Sequence, residues 1–584
     1  MIAQFIIYFT LLSPFSYNYP PGWSDKVDQQ VIQLMDKKDK VSCLITVKSN
    51  LSFQGYNQKW TKEQKGYFVF DKLKSDAASN RALTLAFLTN NKIKYQSYII
   101  TNAIQAELNA QQIIDLAHIP EVLNISNNPN IRQVKVTSKP SKPDLKMDPI
   151  PEWGIIKIQA DSVWKLGIRG EGVVIAGQDT GYEWEHPALK TKYRGWNATF
   201  DTVDHNYNWH DAIRAFNPLH DDTSSNANNC GLHSPFPCDD GTHGTHTMGT
   251  MVGSDSLNAV GVAPNAKWIG CRNMERSYGT PSTYLECFEW FLAPTNLDNN
   301  NPRPDLAPDV INNSWSCPEL EGCNMSNWIL LETAIQNLKM AGIMVIVSAG
   351  NNGNQGCASI FNPPSIFEES FAVGATRSND TIANFSSRGP VIIDSSFRLK
   401  PNISAPGVAV RSTENADGYG VKSGTSMAGP HVAGVVALVI SANPSLRGQV
   451  EEIEHILEST AVRKIDSTDC FNIMGLDIPN HIYGHGRVNA LKAVEMAMGL
   501  SNSNVLTQSS LDLELYPNPA FSQLHLRSSQ IKKFDKIIIY DLSGKVVSIF
   551  KDSLVLDIDN LHAGIYFLNA FANGKFISKK FVKI

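Results

Sequence analysis

Between residues 432 and 440 every side chain is apolar or small, and Asn443-Pro444 closes the run. That is the pattern of a buried helix stopped by proline. Shorter apolar runs at 173–176, 267–270, 309–311, 343–347 and 370–373 alternate with helical stretches. Strands buried on both faces with helices between them predict a mainly parallel sheet in a three-layer α/β sandwich over 150–498. Its long polar insertion, 205–239, reads as a surface loop beside the cleft.

The flanks have a different pattern. Residues 25–135 alternate a strand (41–47), one or two helices (62–88), a strand (95–104), a short helix (110–117) and a strand (121–125), which predicts a small α+β unit. The Pro- and Lys-rich stretch 139–151 reads as an exposed extended linker. After Gly499 comes a Ser/Asn tract, and 511–584 then changes to short alternating strands with turns at Ser543-Gly544 and Asn573-Gly574, a small all-β sandwich.

With 584 residues and a net charge of −5, the chain holds two or three globular domains. The charge argues against nucleic acid or an anionic membrane as partner. No apolar run approaches the ~20 residues that span a bilayer. The apolar segment 2–12 has the length of a signal-peptide core, so 1–19 is read as a secretory signal, without the usual basic start or A-x-A-like cleavage site. Of nine cysteines, Cys230 with Cys238 and Cys317 with Cys323 flank short loops suited to local disulfides, metal binding being the weaker alternative. Cys271 and Cys287 sit in apolar surroundings that suit buried thiols.

The candidate chemistry lies at three places. In Gly424-Thr425-Ser426-Met427-Ala428-Gly429-Pro430-His431, a small-residue turn delivers the Ser426 hydroxyl into a helix start, where unpaired N–H groups and the helix dipole favour developing negative charge. Asp179 follows the run 173–176 and precedes a Thr-Gly turn, so it stands at the carboxyl end of a parallel strand. His243 lies in Asp240-Gly241-Thr242-His243-Gly244-Thr245-His246, whose small residues let a helix start close to a neighbouring strand. A serine nucleophile, an imidazole base and a carboxylate that orients it form a hydrolytic set.

The segments VVIAGQDTG, DGTHGTHTMGT and YGVKSGTSMAGPHVAG resemble the three catalytic blocks of the subtilisin-like serine peptidases, and GVAPNAKW and PDVINNSW are most similar to the bacillopeptidase F branch. The resemblance implies an Asp179–His243–Ser426 triad with Asn351 as oxyanion donor. It further implies that Ser314, Trp315 and Ser316 form an edge pairing with extended protein or peptide substrates, opposite Ala349 and Gly350. His246 and His431 are then structural. Residues 25–135 resemble the family's inhibitory propeptides, which puts the mature start between Val136 and Trp153. Ser316 stands where glycine is common and Gln178 where Ile or Val is usual, and the first departure implies a preference for modest P1 side chains. The chemistry takes no cofactor. Structural calcium occurs in the family, and Asp255 with Asn258 lies in a loop suited to it, although a hydrated turn fits these residues better and no metal ligands are assigned. LELYPNPA, IIIYDLSGKVV, LHAGIYFL and KFVKI resemble the C-terminal sorting domain of type IX secretion, implying that machinery as partner and a secreted or cell-surface location. The competing class is a surface or binding protein on an inactive peptidase fold.

Overall fold

A computed structural model describes residues 22–133, 137–141, 150–220, 228–471, 473–499, 513–528, 533–541, 546–551, 553–572 and 575–584. The signal-peptide reading and the turns at Ser543-Gly544 and Asn573-Gly574 lie outside the described residues. The chain forms two compact units, divided between Met498 and Gly499.

The larger unit is built on seven strands: β1 (Val174–Asp179), β2 (Trp209–Asp211), β3 (Lys267–Arg272), β4 (Val310–Asn313), β5 (Met344–Ser348), β6 (Phe371–Thr376) and β7 (Ile403–Pro406). They lie in the order β2-β3-β1-β4-β5-β6-β7 and every pairing is parallel. Helices α1 (His243–Val252) and α4 (Thr425–Ala442) bury Met251, Val432 and Val436 with Ile175, Val310 and Ile346 on one face. Helices α2 (Pro281–Leu292) and α3 (Met325–Met340) bury Phe288 and Leu331 with Ile269, Ile311 and Val345 on the other. Two cores on one sheet make the three layers that the apolar runs predict. The order reverses at β1 and β4, so the carboxyl ends of these strands open a crevice. Helix α4 is long and apolar enough to cross a membrane, but 89% of it is buried in this core.

The insertion 205–239 is more than a surface loop. Its start is the edge strand β2, and Asp211 there receives both Nε and Nη2 of the buried Arg272 at 3.0 and 2.9 Å. A charged pair in polar sequence hides a buried strand from any reading by hydropathy. All eight cysteines outside Cys43 are bonded: Cys230–Cys238 and Cys317–Cys323 as expected, Cys271–Cys287 where buried thiols were expected, and Cys357–Cys470 across 113 residues.

The leading α+β region packs a four-stranded antiparallel sheet, in the order Tyr95–Tyr98, Ala103–Leu108, Val41–Val47, Val122–Asn127, beside helices Lys62–Asn80 and Ala82–Asn90. The single strand expected over 95–104 is broken by a turn at 99–102. Helices α2 and α3 grip that turn: Glu289 Oε2 accepts from Ile99 N and Ile100 N at 2.5 and 2.9 Å, and Asn337 Nδ2 donates to Ile100 O at 2.7 Å.

Burial pushes the Glu289 carboxyl up to about 7 despite these donors. A carboxyl raised above its ordinary 4.5 contributes stability that is complete below that value and is lost as pH rises through about 7. In urea unfolding of Ser426→Ala chains, Glu289→Gln should therefore lose less stability between pH 5 and pH 8 than its parent does, while buried neutral histidines such as His246 and His431 contribute with the opposite sign in both chains. Asp240, pushed by burial to about 7, supplies a part of the same sign as Glu289.

The expected linker is structured at its start: Thr137–Ser141 pairs antiparallel with Gly418–Ser423. The smaller unit carries a three-stranded sheet (Glu514–Tyr516, Gln523–Arg527, Val555–Asp557) and a four-stranded one (Val546–Phe550, Lys536–Tyr540, Gly564–Ala572, Lys575–Lys583) around Leu524, Phe534, Ile539, Leu568 and Phe581. This is the small β-sandwich that the alternating strands predict.

Candidate active site

Asp179 ends β1, and its carboxylate faces His243 at the first residue of α1. His243 Nδ1 lies 2.8 and 2.9 Å from the two carboxylate oxygens. Thr180 N donates to Asp179 Oδ1 at 2.8 Å, fixing the carboxylate. The helix start is held by Asp239, which accepts from Gly241 N, Thr242 N, Thr245 N and Thr245 Oγ1. Gly244 allows the close approach, since a Cβ there would lie 2.0 Å from Gly181 O. The motif's small residues thus do what their sequence implied. Asp239 was missed, although an aspartate just ahead of a helix start is a recognisable capping signal.

Ser426 stands in the first turn of α4, which Gly424 enters in extended conformation. Its Oγ donates to Ser314 O at 3.3 Å, and Ser314 Oγ donates back to Ser426 O at 3.1 Å. His243 Nε2 is buried without a partner. The structure therefore joins Asp179 to His243 and leaves the Ser426 hydroxyl bonded to Ser314 O and not to the imidazole.

Asn351 is anchored from α4: its Oδ1 accepts from Thr425 N at 3.0 Å and from Thr425 Oγ1 at 2.9 Å. With its oxygen occupied twice, the carboxamide is left to donate through Nδ2. Thr425 Oγ1 also accepts from Gly350 N at 3.3 Å, which ties the turn 349–351 to the helix start. Gly350 has φ +103 and a Cβ would meet Ser387 Oγ at 2.9 Å, so the turn requires glycine. Ala349 is buried in the adjoining core.

Ser314–Ser316 follows β4 without strand structure. Trp315 is buried and stacks on Tyr284 with ring centroids 3.9 Å apart, so its side chain packs in the core. A strand pairing does occur across the cleft: Ile131–Arg132 pairs antiparallel with Tyr278–Gly279. Gln133 N then donates to Ser277 O at 2.8 Å, and the Gln133 amide lies 2.7 Å from His243 Nδ1 and 3.3 Å from Asp179 Oδ1. The tail of the leading region thus ends against the Asp–His pair.

His246 Nε2 is shared between Val410 O and Gly420 O, and His431 Nδ1 bonds Met427 O. Burial holds His246 well below the usual imidazole range and His431 down to about 4, which suits neutral core histidines. Gln178 joins a buried amide ladder: Asn273 Nδ2 donates to Gln178 Oε1 and Gln178 Nε2 to Asn313 Oδ1, each at 2.8 Å. That explains an amide where an aliphatic residue is usual. Asp255 accepts from Leu257 N, Asn258 N, Asn258 Nδ2 and Tyr419 OH, so its oxygens close a turn. Among the described residues, no group of three or more His, Cys, Asp or Glu side chains is arranged to hold a metal.

The subtilase family matches residues 170–486, and a secretion system C-terminal sorting domain matches residues 514–584. Bacillopeptidase F of Bacillus subtilis is 39% identical over 453 residues, 74% of this chain, although that region spans only 29% of its own length. A thermostable alkaline protease of Halalkalibacterium halodurans is 30% identical over 67% of this chain and 83% of its own length. Subtilisin J of Geobacillus stearothermophilus is 28% identical over 71% and 89%. The crystal structure of the epidermin leader peptide processing serine protease from Staphylococcus aureus superposes with a TM-score of 0.54 at 16% identity, covering 79% of this chain and 99% of that one, which shows the shared fold. The sorting domain marks the chain for export by type IX secretion to the cell surface or beyond. The chain belongs to the subtilase family and is a subtilisin-like serine endopeptidase.

Proposed function

We propose that the chain is a zymogen whose mature part cuts protein substrates through Ser426, His243 and Asp179. The observation that carries this reading is the buried His243, whose Nδ1 is held by both Asp179 oxygens while its Nε2 has no partner. An imidazole oriented on one side and free on the other is a general base awaiting a proton donor. For the reaction the Ser426 Oγ leaves Ser314 O and donates to that nitrogen. The hydroxyl then attacks the scissile carbonyl, His243 passes its proton to the leaving amine, and water resolves the acyl-enzyme.

Asn351 Nδ2 and the Ser426 N–H, unpaired in the first turn of α4, would receive the oxyanion. Asn351→Leu should lower kcat by ~10²–10³ with little change in KM, checked by steady-state kinetics on a chromogenic peptide. The main chain of Ser314, Trp315 and Ser316 would pair with extended substrate, with Ala349 and Gly350 on the facing wall of the P1 pocket. Residues 25–135 act as intramolecular inhibitor in this reading, the tail 131–133 lying substrate-like along Tyr278–Gly279 with Gln133 against the Asp–His pair. Cleavage of a peptide library, read by mass spectrometry, tests the proposal. Cuts should cluster after modest side chains, and best cleavage after Arg or Trp would defeat the P1 expectation. No cleavage by leader-free chain would favour an inactive binding protein.

A further inference from the structure

Besides the turn 99–102 held by α2 and α3, the leading region touches the seven-stranded domain at both ends of its sheet. At the carboxyl end of β1 its tail lies against Asp179 and His243. At the amino end, Asp309 immediately precedes β4, and Lys62 Nζ sits 3.1 Å from Asp309 Oδ1 while donating to Ala307 O. Asp309 Oδ2 accepts from Val174 N, the first residue of β1, and Arg447 Nε lies 3.2 Å from Oδ1. One turn on, Lys65 Nζ donates to Gly448 O at 2.6 Å and to Gln449 Oε1 at 3.3 Å, and Gln449 Nε2 donates to Trp60 O at 3.1 Å. Tyr56 OH donates to Met340 O and Tyr67 OH to Asp305 Oδ1, at 2.8 and 2.9 Å.

We propose that residues 56–67 form a second foothold of the leader on the amino-terminal rim of the sheet, and that this foothold governs how long the cut leader stays bound. The proposal rests on the reading of 25–135 as an inhibitor. Lys65 is 2% exposed and the Lys62 side chain 11%. Amines so buried bind strongly only while their acceptors are in place, and removing one side of such a contact is far costlier than breaking a surface pair. The surfaces are also shaped for each other: Gly448 has φ +80, and a Cβ there would lie 2.8 Å from Lys62 Cβ. The foothold precedes the tail by about 70 residues (from 62 to 132), so a cut beyond the tail leaves every one of its contacts intact. The tail offers the pairing of Ile131–Arg132, the Arg132 N bond to Glu321, the Gln133 amide and the strand Thr137–Ser141 on Gly418–Ser423. The foothold adds two buried cations, each with two acceptors.

The test uses the full chain with Ser426→Ala, a recognition sequence for an unrelated peptidase in place of residues 143–148, and the mature part immobilised after cutting. Lys62→Met with Lys65→Met should raise the leader off-rate roughly tenfold or more, whereas Asp309 keeps Arg447 and Val174 N as partners. An off-rate within about twofold of the parent overturns the proposal, whether release is governed by the tail, read with Ile131→Asp and Gln133→Ala, or by the turn 99–102, read with Glu289→Gln. Should the double variant fail to give the parent's melting curve before cutting, Lys65→Met alone is read by the same criterion. Release needs no peptidase activity, so the two readings fail separately. Faster release with no activity in the corresponding Ser426 chain would defeat the peptidase reading and leave the foothold standing.

Discussion

Replacing Ser426 by alanine should lower kcat by roughly a million-fold, the loss that subtilisin itself suffers without its serine, and should leave the chain folded. Only Oγ is removed, and its one bond, to Ser314 O at 3.3 Å, is long. The main-chain acceptance from Ser314 Oγ survives, and so do the Thr425 bonds to Asn351. Alanine is also the best residue for a helix interior. What remains is the residual effect of binding and the oxyanion donors, on the order of 10³-fold over water. Progress curves for wild type and variant on one peptide substrate, with a thermal melt of each, read both halves of the prediction. Activity within about a hundredfold of wild type would mean that another group performs the attack.

Asp179→Asn should cost about 10⁴ in kcat with KM nearly unchanged. Both carboxylate oxygens lie within 2.9 Å of His243 Nδ1, so the ring presents Nδ1–H to them and an unprotonated Nε2 towards the serine side. An asparagine NH₂ in that place selects the opposite tautomer, with the proton on Nε2, where it cannot accept from a hydroxyl. Thr180 N still finds the amide oxygen, so the local fold tolerates the change. Steady-state kinetics separate the terms, since a structural fault would raise KM and lower the melting point as well as kcat.

The sheet and the helix α4 are legible because burial of a whole segment leaves a run of apolar residues, whatever it packs against. Asp179, His243 and Ser426 are legible because each stands in a block of small residues that only a close approach of strand and helix requires, as Gly244 against Gly181 O shows. What escapes is pairing between distant polar groups. The edge strand Trp209–Asp211 is hidden by a buried Asp211–Arg272 contact that looks like surface in sequence. Lys62 and Lys65, in the first turn of a helix opening K-E-Q-K, look like a solvated face. Cys357 and Cys470 lie too far apart for spacing to join them. Gln133 carries no signal at all, since an amide against the Asp–His pair is meaningful only once the tail is in place. Trp315 is the opposite case: its block is recognisable, yet its ring stacks on Tyr284 inside the core.

The central claim is that the Ser426 hydroxyl becomes the nucleophile when His243 accepts its proton. It is tested most directly by treating leader-free protein with a serine-directed phosphonate and mapping the adduct by peptide mass. The account predicts one phosphonate per chain, on Ser426, formed in wild type and abolished by Ser426→Ala. A folded, leader-free wild type that takes no label, or a label that persists on another residue in Ser426→Ala, would contradict it.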